Sequence, residues 1–271
     1  MSLRSFLDAV GPREHALAVV GDATEPLEEM LAETFAETQI DIESGGPGET
    51  VAASDLAALD LEANPGEDTV VVLLENETPV AASTMDELYE SLLAINSDLF
   101  TTGARALGEI ELPDVLANLA DTRLRLRGYP LAHNEKLVLI LLSRYIEQRA
   151  HVADGGTLRA AFQRLSRLDD EVGTLAVYAE LERAAVDVHV YGTPPTDESA
   201  AVRDLDVATH TGTDGEYRNC WFVVYDPADP IADPDPAALL CLETEPRIWD
   251  GFWTFDPERV AALEAYVATE L

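Results

Sequence analysis

The chain has 271 residues, of which 47% are hydrophobic, so it can bury a sizeable core in one large domain or two small ones. Its 52 acidic and 17 basic residues give a net charge of −35, which excludes nucleic acid as a general partner. Lys136 is the single lysine, and every other basic residue is an arginine. Acidic residues spread along the whole chain, with almost no lysine, are typical of halophiles in which molar salt screens the repulsion.

The cysteines and the apolar runs of the sequence indicate the cellular compartment. Cys220 and Cys241 each lie within an apolar run, where a small buried thiol is the usual role and a disulfide is not expected. The first ten residues lack the apolar segment of a signal peptide, and the longest purely apolar run, residues 137–142, is too short to span a bilayer. We therefore expect a cytoplasmic protein with no membrane partner.

The first 120 residues alternate between strand and helix patterns. Alternating or continuous apolar residues predict strands, whereas apolar residues three to four positions apart predict helices. The predicted strands are 15–20, 38–44 and 69–76, and the predicted helices are 25–37, a short one around Asp55–Leu61, and 83–96. Ser83 and Asp86 have the spacing of a helix cap, so we expect the last of these helices to begin there.

The middle of the chain is predicted to be helical. Residues 134–152 are apolar on most faces, which indicates a central buried helix. Leu158, Phe162 and Leu165 keep helical spacing, so residues 155–168 are predicted to form a second helix. A third helix is predicted at 171–184, followed by strands at 186–192, 220–226 and 237–245.

The stretch GFWTFDPERV, residues 251–260, is predicted to join a strand to a terminal helix. Asp256 suits the N-cap position and Pro257 the first helical position. Strand alternation places Phe252 on one face of the sheet and Trp253 on the other. Trp253 and Trp249 are expected either in the core or at the mouth of a pocket, because an indole combines apolar area with a polar N–H.

Together the elements predict an α/β fold, a mixed sheet with flanking helices and a central helical segment. The chain divides either into an N-terminal α/β region, 1–120, and a second region, 121–271, or forms one continuous domain.

The segment from Arg123 to Arg167 is basic in an otherwise acidic chain, with nine basic residues against three acids. One interpretation is that its arginines are interior partners of the surrounding carboxylates. The alternative is that several converge on a pocket for an anionic ligand. The candidate ligand-binding residues are Arg144, Arg159, Gln163, Arg167, Trp249 and Trp253, with Arg159, Gln163 and Arg167 spaced i, i+4, i+8 along the second predicted helix.

Several motifs resemble the DICT sensory domain, a family associated with diguanylate cyclases and two-component systems. They are DVHVYGTPP at 187–195, NCWFVVYDP at 219–227, ETE at 243–245, GFWTFDPERV at 251–260, LLSRYIEQRA at 141–150 and FQRLSRL at 162–168. Residues 95–105 and 121–130 are similar to the N-terminal part of free-standing haloarchaeal members. The resemblance implies sensing in signal transduction, with no catalytic residue or established ligand to carry over. The chain departs from the bacterial pattern in that no attached cyclase, kinase or DNA-binding segment is found, so we expect the output to come from a separate partner.

Motifs of enzymes do not occur in this sequence, which has no G-x-G-x-x-G after a strand, P-loop, G-x-S-x-G or H-E-x-x-H. The histidines are scattered, and His189, within a strand pattern, is expected to be a hydrogen-bonded core residue rather than a ligand. The two cysteines with one histidine would make a poor metal site. We therefore predict no catalytic residue, no metal and no cofactor.

The function expected from the sequence is that of a stand-alone cytoplasmic sensory protein, not an enzyme, which binds a small ligand or a signalling partner. Two alternatives stay open: an enzyme with an unrecognised active site, and a pure protein-interaction module. A sensor should have one concave pocket lined by arginines and aromatic residues, an enzyme a pair of groups with opposed pKa shifts, and an interaction module a broad apolar patch.

Overall fold

Two mixed β-sheets and a long helix form the frame of the protein in this computed structural model. The strands are β1 (His15–Val20), β2 (Ile40–Gly45), β3 (Val70–Glu75), β4 (Thr78–Thr84), β5 (Leu124–Arg127), β6 (Thr157–Arg164), β7 (Asp187–Thr193), β8 (Ala208–Thr211), β9 (Cys220–Asp226), β10 (Ala237–Glu245) and β11 (Ile248–Thr254). The helices are α1 (Leu3–Asp8), α2 (Met85–Ala94), α3 (Asp114–Asn118), α4 (His133–Val152), α5 (Arg167–Asp170), α6 (Thr174–Leu181), α7 (Gly215–Asn219) and α8 (Pro257–Glu270).

The structure describes most but not all of the chain. The described residues are 1–11, 13–21, 40–45, 51, 56, 58–59, 68–94, 110–127, 133–153, 155–170, 173–194, 205–229, 235–246 and 248–271. The helices predicted at 25–37 and, for most of its length, around Asp55–Leu61 lie outside these residues.

Both sheets mix parallel and antiparallel neighbours. The smaller sheet has the order β2-β1-β3-β4, in which β1 runs parallel to β2 and antiparallel to β3. The larger sheet has the order β5-β11-β10-β9-β6-β7-β8, in which β6, β7 and β8 run parallel and the other neighbours antiparallel. The prediction of an α/β fold with a mixed sheet, flanking helices and a central helix is confirmed.

Helices cover both faces of the larger sheet. On one face α4 packs together with residues of both sheets in a single core, which includes Leu17 of β1, Leu142 of α4 and Trp253 of β11. On the other face α1 and α8 form a second core with Phe252. Phe252 and Trp253 therefore point to opposite faces, as strand alternation predicts. Within the described residues, no helix is long and apolar enough to cross a membrane.

The two cysteines are separated by the sheet. Cys220 of β9 belongs to the core under α8, whereas Cys241 of β10 belongs to the core under α4. Both thiols are free and buried, and burial raises the pKa of each. The prediction of buried cysteines without a disulfide is confirmed.

The helix predicted at 155–168 is wrong, because residues 157–164 form β6, near the middle of the larger sheet. Leu158 and Ala160 face the core under α4, and Ala161 faces the core under α8. Leu158 and Phe162 lie four residues apart on the same face of the strand, and this spacing also fits one face of a helix. The i, i+4, i+8 arrangement of Arg159, Gln163 and Arg167 does not exist.

The start of α2 also differs from the prediction. A hairpin that the sequence analysis missed joins β3 to β4 through Asn76 and Glu77, whose φ angles of 50° and 62° suit a two-residue turn. Ser83 is the last but one residue of β4, and its Oγ accepts a hydrogen bond from Val115 N at 3.2 Å. The Oγ1 of the next residue, Thr84, accepts from Glu87 N at 3.0 Å, so Thr84 caps α2.

Candidate functional site

A cleft lies between α4 and the larger sheet, where β6 and β9 are neighbours. Its lining consists of Ile140, Ser143, Arg144 and Glu147 of α4, Ala161 and Phe162 of β6, Trp221 and Val223 of β9, Arg167 and Thr174. The enclosed part of the cleft has room for roughly three water molecules. The cleft lies near the carboxyl end of β6, because Ala161, Phe162 and Arg167 are among its lining residues.

One wall of the cleft is polar and buried. Arg144 is 9% exposed and Glu147 is 1% exposed. Arg144 Nη1 donates to Glu147 Oε2 in a close ion pair, and Arg144 Nη2 donates to Thr174 Oγ1 at 2.7 Å. The second carboxylate oxygen, Glu147 Oε1, accepts from the hydroxyl of Tyr178 at 3.0 Å. Burial and then the negative charge of Glu147 raise the pKa of Tyr178, so this hydroxyl stays a donor.

The opposite wall is aromatic. Phe162 meets the ring of Tyr178 edge-on, with 5.3 Å between centroids, and Trp221 meets Trp249 edge-on at 6.2 Å. Trp221 Nε1 donates to Ser143 Oγ at 3.2 Å, and Ser143 Oγ donates in turn to Leu139 O at 2.9 Å. This chain of hydrogen bonds holds the indole of Trp221 against α4.

Local sequence places each of these groups. Ile140, Ser143, Arg144 and Glu147 follow i, i+3, i+4, i+7, which puts them on one face of a helix. Thr174 is the first residue of α6, after Gly173 at φ 96°, which has no side chain to cap the helix. The positive end of the α6 dipole therefore lies beside the cleft.

The predicted site residues divide into two groups. Arg144 and Arg167 line the cleft. Trp249 is 7% exposed and contacts Trp221 edge-on. Trp253 is 1% exposed and belongs to the core, where no described residue accepts a hydrogen bond from its Nε1.

Arg159 and Gln163 do not join the cleft. Arg159 points toward α8, where its Nε donates to Glu264 Oε1 at 2.8 Å and its Nη1 donates to Tyr191 OH at 2.7 Å. Gln163, at φ 57°, donates from Nε2 to Glu243 Oε2 at 3.0 Å. Arg159 is thus the interior partner of a carboxylate, whereas Arg144 combines an ion pair with a position in the cleft wall.

The sequence analysis missed most of the cleft. Glu147, Phe162, Thr174, Tyr178 and Trp221 were not named as candidates. The one available signal was the i, i+3 pair Arg144 and Glu147, which places opposite charges on a helix otherwise predicted to be buried. The contributions of β9 and α6 arise from tertiary packing alone.

Two histidines form a second polar cluster on strands β7 and β8. His189 Nδ1 and His210 Nε2 are 2.9 Å apart, and His189 Nε2 lies 3.1 Å from Asp187 Oδ2. Burial, then the charges of His189 and Arg159, lower the pKa of His210. His189 is hydrogen-bonded but half-buried rather than in the core. Across the described part of the chain, no three His, Cys, Asp or Glu side chains are placed to hold a metal ion.

Comparison with known proteins adds no relative from which a function could be transferred. The chain matches no family model, no curated protein and no solved structure.

Proposed function

We propose that this chain is a cytoplasmic sensory protein, which binds a small molecule in the cleft beside α4 and passes the signal to a protein partner. The observation that carries the proposal is the buried pair of Arg144 and Glu147, held in the wall of a cleft. The resemblance of residues 141–150 and 162–168 to DICT sensory domains is consistent with it, because these segments supply much of the cleft.

A buried ion pair is expensive to maintain for stability alone. Desolvation of both charges offsets most of their attraction, and apolar residues of similar volume often stabilise a core as well or better. A pair that adds little stability is retained for another reason, and here we propose ligand binding. The pair lies beside a cavity that also has aromatic residues, which is the usual composition of a small-molecule site.

The rest of the described surface gives less support to a pure interaction module. The large hydrophobic residues that are exposed there, Met1, Val80, Tyr89 and Val152, belong to different segments of the chain. A docking surface for a protein usually requires a contiguous apolar patch.

Copurification of a ligand tests the proposal. The protein would be produced in its own host, purified in high salt and denatured, and the released small molecules would be identified by mass spectrometry. Ile140→Trp, which fills the cleft from α4, would be purified in parallel, with Arg164→Met as control, because Arg164 is exposed and outside the lining. We expect one compound with wild type and Arg164→Met that is lost with Ile140→Trp. An identical set of compounds from all three proteins would contradict the proposal.

A further inference from the structure

The hydrogen-bonding capacity of the cleft indicates the chemical class of its ligand. We infer that the ligand is a small carboxylic acid with an apolar body, bound as the carboxylate. This inference rests on the proposed function of the cleft.

Hydrogen-bond donors outnumber acceptors on the cleft side chains. Both carboxylate oxygens of Glu147 already accept, one from Arg144 and one from Tyr178. Thr174 Oγ1 accepts from Arg144 and keeps its own proton, for which no described residue is an acceptor. The Oγ of Ser143 accepts from Trp221 Nε1 and donates to Leu139 O. Glu147 and Ser143 keep further lone pairs, but the two guanidinium groups and the Thr174 hydroxyl give the lining more donors than acceptors, so a ligand that brings acceptors satisfies more of these groups.

Charge favours an anion over a neutral acceptor. The lining contains the guanidinium groups of Arg144 and Arg167 and the single carboxylate of Glu147. Both arginines also have contacts within the protein, but each guanidinium carries five N–H groups in a planar fork that fits a carboxylate. The positive end of the α6 dipole at Thr174 adds to the same field. In a chain of net charge −35, this is a local excess of positive charge.

Size and apolar surface distinguish a carboxylic acid from an inorganic oxyanion. Phe162, Trp221, Ile140 and Val223 supply apolar lining that phosphate or sulfate would leave without a partner. Space for roughly three waters accommodates a carboxylate group and little more, so the body of a larger acid would extend along the aromatic wall toward the opening. Short branched or aryl monocarboxylates meet both conditions.

Matched pairs of probes test the inference in about 2 M KCl, in which long-range attraction to the protein is screened. Isobutyrate is compared with isobutyramide, and benzoate with benzamide, since each amide has the shape of its acid without the charge. Inorganic phosphate serves as the oxyanion probe. Binding is followed by the shift in melting temperature and by saturation-transfer NMR on the probe.

We expect both carboxylates to raise the melting temperature and to saturate, whereas the amides and phosphate do not. Ile140→Trp should abolish the response. Arg167→Met should weaken carboxylate binding roughly 10-fold or more, which is the loss of one charge-assisted hydrogen bond. Thr174→Val, which removes the donating hydroxyl at constant shape, should weaken it less. Arg164→Met is the control with the same change outside the lining, and it should bind as wild type does.

Three results would overturn the inference. Amides that bind as well as the carboxylates, with the response lost in Ile140→Trp, would reject the carboxylate class but leave the cleft as a ligand site. Carboxylate binding that Ile140→Trp does not change would place the site elsewhere. If no carboxylate shifts the melting temperature at roughly tens of millimolar, its dissociation constant is far above ~1 mM, and the carboxylate class is rejected. The copurification experiment then decides separately on the proposed function.

Discussion

Arg159 connects the middle of the larger sheet to α8. Its guanidinium binds Glu264 on that helix and Tyr191 on β7, and both arginine and carboxylate are largely buried. Removal of one partner of a buried pair leaves the other charge without compensation, so Arg159→Ala should lower the free energy of unfolding by about 3 kcal/mol. Chemical denaturation in high salt measures this. Arg164→Ala, on the same strand but exposed, should change it by less than about 0.5 kcal/mol.

The ligand response gives a second readout for Arg159. Because its side chain faces away from the cleft, the folded fraction of Arg159→Ala should keep the wild-type response to carboxylates. Loss of that response with little loss of stability would show that Arg159 belongs to the ligand site after all, as the helical interpretation of this segment had suggested.

Trp253 and Asp256 differ in what their loss should cost. Trp253 is 1% exposed in the core under α4, so Trp253→Ala should lower the free energy of unfolding by about 3–5 kcal/mol. Asp256 Oδ1 accepts from Glu258 N at 2.9 Å and caps α8, so Asp256→Ala should cost about 0.5–2 kcal/mol. Urea denaturation of both variants compares them. Equal and negligible effects would contradict this assignment of core and cap.

At the scale of the helix, α4 holds two buried charges of opposite sign, Arg144 and Glu147, as an ion pair. Arg144→Met alone leaves the carboxylate of Glu147 buried with Tyr178 as its one donor among the described residues, which should cost about 3–5 kcal/mol. The double variant Arg144→Met with Glu147→Gln removes the charge and keeps an acceptor for Tyr178, so it should recover most of that loss. Chemical denaturation measures both. A double variant that is no more stable than the single one would show that the loss does not come from an uncompensated carboxylate.

Strand β6 shows why sequence pattern failed at this element. Leu158, Ala160 and Phe162 alternate on the face under α4, but Ala161 on the other face belongs to the core under α8 and interrupts the alternation. β1, β9 and β10, which are interior strands of their sheets, have the predicted bounds, whereas no strand was predicted for the edge strands β4, β5 and β8. Residue type separates these strands where periodicity does not: β9 and β10 consist mainly of β-branched, aromatic and aliphatic residues, whereas β6 carries Arg159, Gln163 and Arg164.

The sequence indicates only those charged residues of the cleft that lie close together in the chain. Arg144 and Glu147 are visible as neighbours on one helix face, and Arg167 follows β6 closely. Trp221 reaches the cleft because β9 is the antiparallel neighbour of β6, and Thr174 because α6 packs on α4. These contacts depend on strand order, which local pattern does not encode.

At the scale of the molecule, His15 connects the smaller sheet to the segment before β5. It is 5% exposed, and its Nδ1 lies 3.1 Å from Thr122 Oγ1. Burial lowers the pKa of His15, Glu75 opposes this shift, and Arg13 adds to it. The unfolded chain therefore takes up a proton near pH 6.5 that the folded chain resists, and stability should fall as the pH decreases below about 6.5.

The variant His15→Gln isolates this contribution. Burial also lowers the pKa of His210, whereas it raises the pKa of Asp226 and Glu87, which act in the opposite direction at lower pH. The difference in unfolding free energy between wild type and His15→Gln should shrink by up to about 1.4 kcal/mol per pH unit below about pH 6.5. Urea denaturation between about pH 8 and about pH 5.5 measures it. A pH-independent difference would show that His15 keeps its ordinary pKa in the fold.

The net charge of −35 acts on the whole molecule through the salt concentration. At about 0.1 M salt the screening length is about 10 Å, so carboxylates on neighbouring surface elements repel one another and oppose compaction, whereas at about 1 M it falls to about 3 Å. We expect the melting temperature to rise steeply with KCl up to about 1 M and then to level off. Sucrose, which strengthens burial without screening charge, is the control and should raise the melting temperature much less at the same low ionic strength. A melting temperature that is flat in KCl, or that responds equally to sucrose, would show that charge repulsion does not limit the stability of this fold and would count against a halophilic origin.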